Sequence, residues 1–266
     1  MRKPLRLWPI LNTMLVGGLI AAASTGPAAA DAAPSRLLSV PQSGVLRVCT
    51  TGDYPPYTLR GADGGYQGVD ITLATDLATV LHAVPQWVPT TWGTLTTDFP
   101  AKCDIAVGGI SDTADRRQVA DYSVALTTDG KTPVTRRSSG DAFGTIDEID
   151  QPGVRVIVNP GGTNEKFARA NFPNARITVW PDNLTIYDQL EQGNADVFVT
   201  DSIEGRYRQR THPDLQVLHP DRPFDSATKA YLLPRGDTAF DTVVNGWLEL
   251  QIRSGRTTQL LKDWIG

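Results

Sequence analysis

Cysteine is almost missing from this chain, with Cys49 and Cys103 the only two among 266 residues. Each stands beside what reads as a strand, and an exported protein could join them. Cys49 comes late in its strand and Cys103 at the start of its own, so neighbouring parallel strands would hold them at opposite ends, beyond bridging distance. Two buried free thiols are the expectation. Histidine is equally scarce: His82, His212 and His219 show no metal-ligand spacing. No serine sits in a nucleophile elbow, and no glycine-rich loop carries the P-loop lysine. Covalent, metal-dependent and nucleotide-dependent mechanisms are disfavoured, and no cofactor is expected. Charge is scarce as well. Charged residues make up 20% of the chain and the net charge is -4, so there is no basic surface to recruit nucleic acid and no acidic block to form a disordered tail.

A long apolar run is missing too. The chain opens Met1-Arg-Lys-Pro-Leu-Arg6, and the apolar segment that follows is interrupted by Pro9, Asn12 and Thr13 before Ala28-Ala-Ala30. This reads as a signal peptide over residues 1–30, cut near Ala30, rather than a bilayer span. No cysteine stands at the cleavage point, which argues against a lipid anchor. The mature protein is expected to be exported, periplasmic or secreted, without stable membrane insertion, and residues 31–44 to be a tether outside the fold.

The remaining 220 or so residues, roughly two domains' worth, alternate between two periodicities. A β-branched run at 45–51 precedes apolar residues at helical spacing over 69–81, a strand at 86–89, a helix at 94–99 and a buried strand at 104–107 ending in Gly108-Gly109. The alternation restarts after Gly130, with strands at 154–158, 176–179 and 197–200 separated by helices at 163–171 and 184–192. An extended segment at 230–234 is followed by two helices, 238–254 and 256–265. Two βαβαβ series predict an α/β protein of two lobes, each a mainly parallel sheet flanked by helices. The first lobe is read as 45–130 plus 228–266 and the second as 131–227, with the final helices returning to the first. Ligands of such sheets sit outside the carboxyl ends of the strands, so the cleft should lie between the lobes.

The residues at those strand ends carry the chemistry. Asn159-Pro-Gly-Gly-Thr-Asn-Glu165 places two glycines ahead of a helix, where free amides can hold an anion. Asp115-Arg116-Arg117 follows another strand end, and a guanidinium there is either a carboxylate clamp or a solvated surface charge. Tyr54, Tyr57 and Trp92 sit at the rim, as packing residues or as walls for a ring-shaped ligand. Asp201 and Glu204 share one face at the start of a helix, where N-capping by Thr200 or Asp201 with Glu204 completing a capping box is the plain alternative to a ligand-facing role.

These residues sit within longer phrases: Thr50-Thr-Gly-Asp-Tyr54, Asp129-Gly-Lys-Thr-Pro133, Val158-Asn-Pro-Gly-Gly-Thr-Asn-Glu-Lys-Phe-Ala-Arg-Ala-Asn171, Thr200-Asp201 with Ile203-Glu204, and Lys229-Ala-Tyr-Leu-Leu-Pro234. Over about residues 46–265 the chain resembles the amino-acid-type periplasmic solute-binding proteins, and within them the periplasmic cyclohexadienyl dehydratases. The resemblance implies an aromatic wall at Tyr54 and Trp92, carboxylate recognition by Arg116 and Thr163, and an ammonium partner in Asp201. Gly109 stands, with Gly108, where amino-acid binders commonly carry serines. The resemblance further implies Glu204 as general acid, with Asn159 and Lys131 holding the substrate. The implied substrate is a small anionic cyclohexadiene, prephenate or arogenate, which loses water and carbon dioxide. A non-catalytic amino-acid receptor serving an ABC permease, or a secreted ligand sensor, would use the same cleft.

Overall fold

The computed structural model describes Met1 and residues 34–266; apart from Met1, the expected signal peptide lies outside the described residues. Two five-stranded sheets organise the chain. In the first, Val84–Pro89, Val45–Thr50 and Ile105–Ala106 run parallel, and Leu232–Pro234 and Ala120–Tyr122 extend the sheet in antiparallel pairing. In the second, Arg176–Val179, Arg155–Val158 and Val197–Asp201 run parallel, with Lys131–Arg136 and Leu215–Val217 added antiparallel. Among the described residues no helix is long and apolar enough to cross a membrane.

Both sheets are covered on both faces, which is why their strands read as apolar runs rather than alternating ones. Successive side chains nevertheless go to opposite faces. Leu46, Val48, Ile105, Val107 and Leu233 enter one core of the first sheet, and Cys49, Ala106 and Leu232 enter the other. Val134, Ile157 and Phe198 enter one core of the second, and Val156, Val158, Val197 and Val199 its opposite. The helix Thr238–Arg253 brings Phe240, Val244 and Leu248 to the first sheet.

The chain crosses between the sheets twice, along Thr127–Asp129 and Ala227–Lys229, and these two crossings pair as an antiparallel ribbon. Gly130 follows the outward crossing, and a Cβ there would lie 2.0 Å from the Asp225 carbonyl oxygen, so the close approach of the two crossings requires glycine.

Two expectations are overturned. Residues 31–44 are not all tether. Arg36–Ser43 is a helix, capped by Ser35 and tied to the body by Ser35 Oγ and the Arg36 amide, both donating to Asp237 at 2.6 and 2.7 Å, with Val40 buried. Eight residues with an internal proline give too little periodicity to reveal it.

The cysteines are joined: Cys49 and Cys103 form a disulfide with their Cα atoms 5.7 Å apart. Cys103 does not lie in the sheet. It is the C-cap of the helix Leu95–Lys102, which packs with Leu95 and Phe99 over the face that Cys49 points to, so the bond runs from sheet to helix rather than along two strands. The bridged residues are 54 apart. Replacing both by alanine is expected to lower stability by about 2–4 kcal/mol, mostly through the freer unfolded chain. The shift in urea midpoint checks this, and an unchanged midpoint would show that the bond contributes nothing.

Candidate functional site

The strands Lys131–Arg136 and Val197–Asp201 end together, placing Lys131 directly opposite Asp201 in the antiparallel register. Lys131 Nζ donates to Asp201 Oδ1 at 2.8 Å, and Lys229 Nζ reaches Oδ2 at 2.6 Å from the crossing ribbon. The Tyr54 hydroxyl, from the first lobe, also donates to Oδ2. Both carboxylate oxygens of Asp201 are thus engaged by the chain itself. Burial alone would raise the pKa of this carboxyl, but the two lysines outweigh it and hold the group well below the usual carboxylate range. Lys131 Nζ spends its other two hydrogens on Thr163 Oγ1 at 3.0 Å and Asn164 Oδ1 at 2.5 Å. Lys229 Nζ has one further partner, Ser111 Oγ at 2.8 Å.

Above this cluster lies a cavity of ≈ 10 Å³, the space of about one water, so the lobes are closed on one another. Of the residues singled out in the sequence, Tyr54, Trp92, Gly109, Asn159, Thr163 and Asp201 line it, together with Ser111, Asn164 and Lys229. Tyr54 meets Trp92 edge to face at 5.5 Å and stacks on Tyr57 at 5.6 Å. Gly109, at φ +68°, has both tyrosine rings lying where a Cβ would be, 2.6 Å from each, so a side chain there would displace the aromatic wall. The amides of Gly108 and Gly109 are not open to a ligand, because Asp70 Oδ2 accepts both at 2.9 and 2.7 Å. Burial lifts the Asp70 carboxyl to about 6, against these hydrogen bonds.

The capping alternative for Asp201 and Glu204 does not hold. The helix Ser202–Thr211 is capped by Asp129, which accepts from the Ser202 and Ile203 amides at 3.0 and 3.2 Å, and Asp201 makes no capping bond. Glu204 is fully buried, its Oε2 accepting from the Thr200 hydroxyl at 2.5 Å, while Oε1 has no hydrogen-bond partner among the described residues. Burial pushes its pKa up to about 7, opposed by Arg208, whose Nε lies 3.8 Å from Oε1. It does not line the cavity. Thr200 and Asn164 stand between, with Asn164 Nδ2 donating to both Thr200 Oγ1 and Asn159 Oδ1 at 3.1 Å.

Two other expected contacts are displaced. Lys131 lies behind the cavity wall with all three hydrogens used. Arg116 is neither a solvated charge nor a member of the inner cavity. It is buried, bonded by Nη1 to the Ser111 carbonyl oxygen at 2.8 Å and placed 5.6 Å over the Trp92 ring. It faces a second chamber of ≈ 250 Å³ that shares Trp92, Gly162 and Thr163 with the first. Lys229, given no role from sequence although it opens one of the phrases above, lies in the inner cavity because the second chain crossing carries it there. His212 stands outside both chambers in a group with Asp188 and Glu191, their ligand atoms within 4.8 Å of one another.

Residues 46–266 match the bacterial extracellular solute-binding proteins, family 3. The chain is 49% identical over 252 residues to the cyclohexadienyl dehydratase of Pseudomonas aeruginosa, covering 94% of both chains. It is 24% identical to the L-cystine-binding protein TcyJ of Escherichia coli, over 95% of this chain and 94% of that protein. Among solved structures, the ancestral amino acid-binding protein AncCDT-1, described as a precursor of cyclohexadienyl dehydratase, superposes with a TM-score of 0.80 at 29% identity, over 87% of this chain and all of the other. An ancestral cyclohexadienyl dehydratase gives 0.55 at 44% identity, over 88% and 98%. Sequence identity and superposition rank the two in opposite order.

Proposed function

The chain belongs to the bacterial extracellular solute-binding proteins of family 3, and we propose that within that family it acts as a cyclohexadienyl dehydratase, a carbon–oxygen lyase exported to the periplasm or secreted. Prephenate would give phenylpyruvate, and arogenate phenylalanine, each by loss of the ring hydroxyl as water and of the ring carboxylate as carbon dioxide. Hydroxide is a poor leaving group, so the reaction needs a proton at that oxygen as the C–O bond breaks, while the electrons released by decarboxylation complete the aromatic ring. No cofactor is called on, since aromatisation supplies the drive.

The observation that carries this reading is Glu204, a carboxyl with no exposure whose pKa is pushed up to about 7. A buried acid that gives up its proton only near neutral pH suits a general acid and has no evident use in a simple receptor. It sits at the start of a helix fixed by Asp129, with Thr200 holding Oε2. We assign it the role of proton source for the leaving hydroxyl, the proton passing by way of the Thr200 hydroxyl that stands between Glu204 and the cavity, and we assign Asn159 and Thr163 to substrate binding and Tyr54 and Trp92 to flanking the ring. Arg116 in the adjoining chamber is a counterion for the side-chain carboxylate, with Trp92, Gly162 and Thr163 continuous between the two chambers. Lys131 acts by setting Asp201 rather than by touching substrate.

Incubating the mature protein with prephenate at neutral pH, and following phenylpyruvate by its alkaline absorbance, is expected to show formation well above the spontaneous rate. Intact prephenate with no excess phenylpyruvate would overturn the assignment.

A further inference from the structure

Resting on the dehydratase reading, we propose that Lys229 is the residue that determines specificity at the substrate's side chain, selecting a 2-oxo acid over the corresponding 2-amino acid. An ammonium group needs an acceptor. The acidic side chain lining the inner cavity is Asp201, and its Oδ1 is taken by Lys131, its Oδ2 by Lys229 and the Tyr54 hydroxyl. An amino acid entering the cleft must therefore displace a lysine from a buried carboxylate or leave its own ammonium facing two others. A carbonyl oxygen has the opposite requirement, and the wall meets it with donors.

Hydrogen counting points to which donor. An ammonium nitrogen carries three hydrogens. Lys131 has three partners, Asp201, Thr163 and Asn164, and none left. Among the described residues Lys229 has two, Asp201 and Ser111, and it lines the cavity, so one hydrogen remains for the ligand. Its Nζ also stands 5.6 Å over the Tyr54 ring, on the aromatic wall. Lys229 thus does two things at once: it covers the oxygen an ammonium would use and offers a hydrogen that a ketone can accept. Its place on the crossing ribbon fixes it, since Lys229 pairs with Thr127 and bridges to Ser111 in the backbone.

The test compares Lys229→Met with the parent on prephenate and arogenate. The ratio of kcat/KM values, prephenate over arogenate, is expected to fall on the order of 10- to 100-fold, the range that hydrogen bonds to charged groups carry. The double variant Lys229→Met with Asp201→Asn removes the carboxylate as well, so it should not share any gain toward arogenate. If Lys229→Met does not fold, as judged by circular dichroism, Lys229→Leu, which likewise has no donor, carries the same expectation. An unchanged ratio in the folded variant, or an equal gain toward arogenate in the double variant, would overturn the assignment of Lys229. A parent that turns over neither substrate would instead sink the dehydratase reading. Calorimetric titration with phenylpyruvate and phenylalanine then still decides the inference, because it asks only whether removing Lys229 exchanges one ligand for the other.

Discussion

Glu204→Gln is expected to lower dehydratase turnover by about 10²- to 10⁴-fold, the usual contribution of a positioned general acid, in a protein that folds as the parent does. Glutamine keeps the shape, and the Thr200 hydroxyl can still donate to its carbonyl oxygen, so what is lost is the transferable proton. The same group sets the pH dependence. Activity requires the protonated carboxyl, whose pKa is about 7, so kcat should decline as pH rises through about 7, a limb that is absent from the residual activity of the variant. Prephenate turnover by Glu204→Gln at the parent's rate would remove Glu204 from the mechanism.

The shift that equips Glu204 for catalysis also costs stability. Between the ordinary value of 4.5 and about 7 the folded protein holds a proton that the unfolded chain has released, so stability falls as pH rises across that window and the cost is complete above it. Its size is on the order of 3 kcal/mol. In the glutamine variant this part of the slope should vanish, although Arg208 then loses its neighbour at 3.8 Å. Urea denaturation at pH 5 and pH 8 measures the difference. A variant less active at every pH yet less steeply destabilised by base would tie the two roles to one carboxyl.

The alternation of strand and helix revealed both lobes because each strand end faces the cleft, and the same rule collected Tyr54, Trp92, Gly109, Asn159, Thr163 and Asp201 at one cavity. What stayed hidden depended on partners far away in sequence. Nothing near Asp201 announces that Lys229 covers it from 28 residues away, or that Asp129 rather than Asp201 caps the helix, 73 residues from Ser202. Such contacts follow from the second chain crossing, which periodicity does not place. The disulfide escaped for a related reason: a cysteine read as the first residue of a strand is the C-cap of the preceding helix, which packs over the sheet. Arg116 was drawn to the right cleft but into the neighbouring chamber, since a four-residue helix, Ala114–Arg117, sets its direction and so short a helix has no period to read.

Gly161→Ala is expected to cost about 10²-fold in kcat/KM, the loss that follows when a catalytic arrangement is held roughly 1 Å out of place. Gly161 follows the strand Arg155–Val158 of the second sheet, and Gly93 follows Val84–Pro89 of the first, so their approach is made across the cleft. A Cβ on Gly161 would stand 2.7 Å from Gly93 Cα and 2.8 Å from its nitrogen, backbone against backbone with no flexible side chain to yield, and the residue sits at φ +75°. The reverse substitution is the control. A Cβ on Gly93 meets Gly161 Cα and Thr91 Oγ1 only at 4.0 Å, an ordinary contact, so Gly93→Ala should close and turn over nearly as the parent does. The strain at Gly161 predicts a modest loss of stability, about 1 kcal/mol, for an alanine forced to positive φ. The kinetic loss should be much larger than that, because closure brings Tyr54 to Asp201 and shuts water from the inner cavity. Small-angle scattering with phenylpyruvate present should show Gly161→Ala remaining more extended than Gly93→Ala. Equal scattering and equal turnover in the two variants would mean that the glycine contact is not a condition of closure, and the cleft would then owe its closed form to the Asp201 cluster alone.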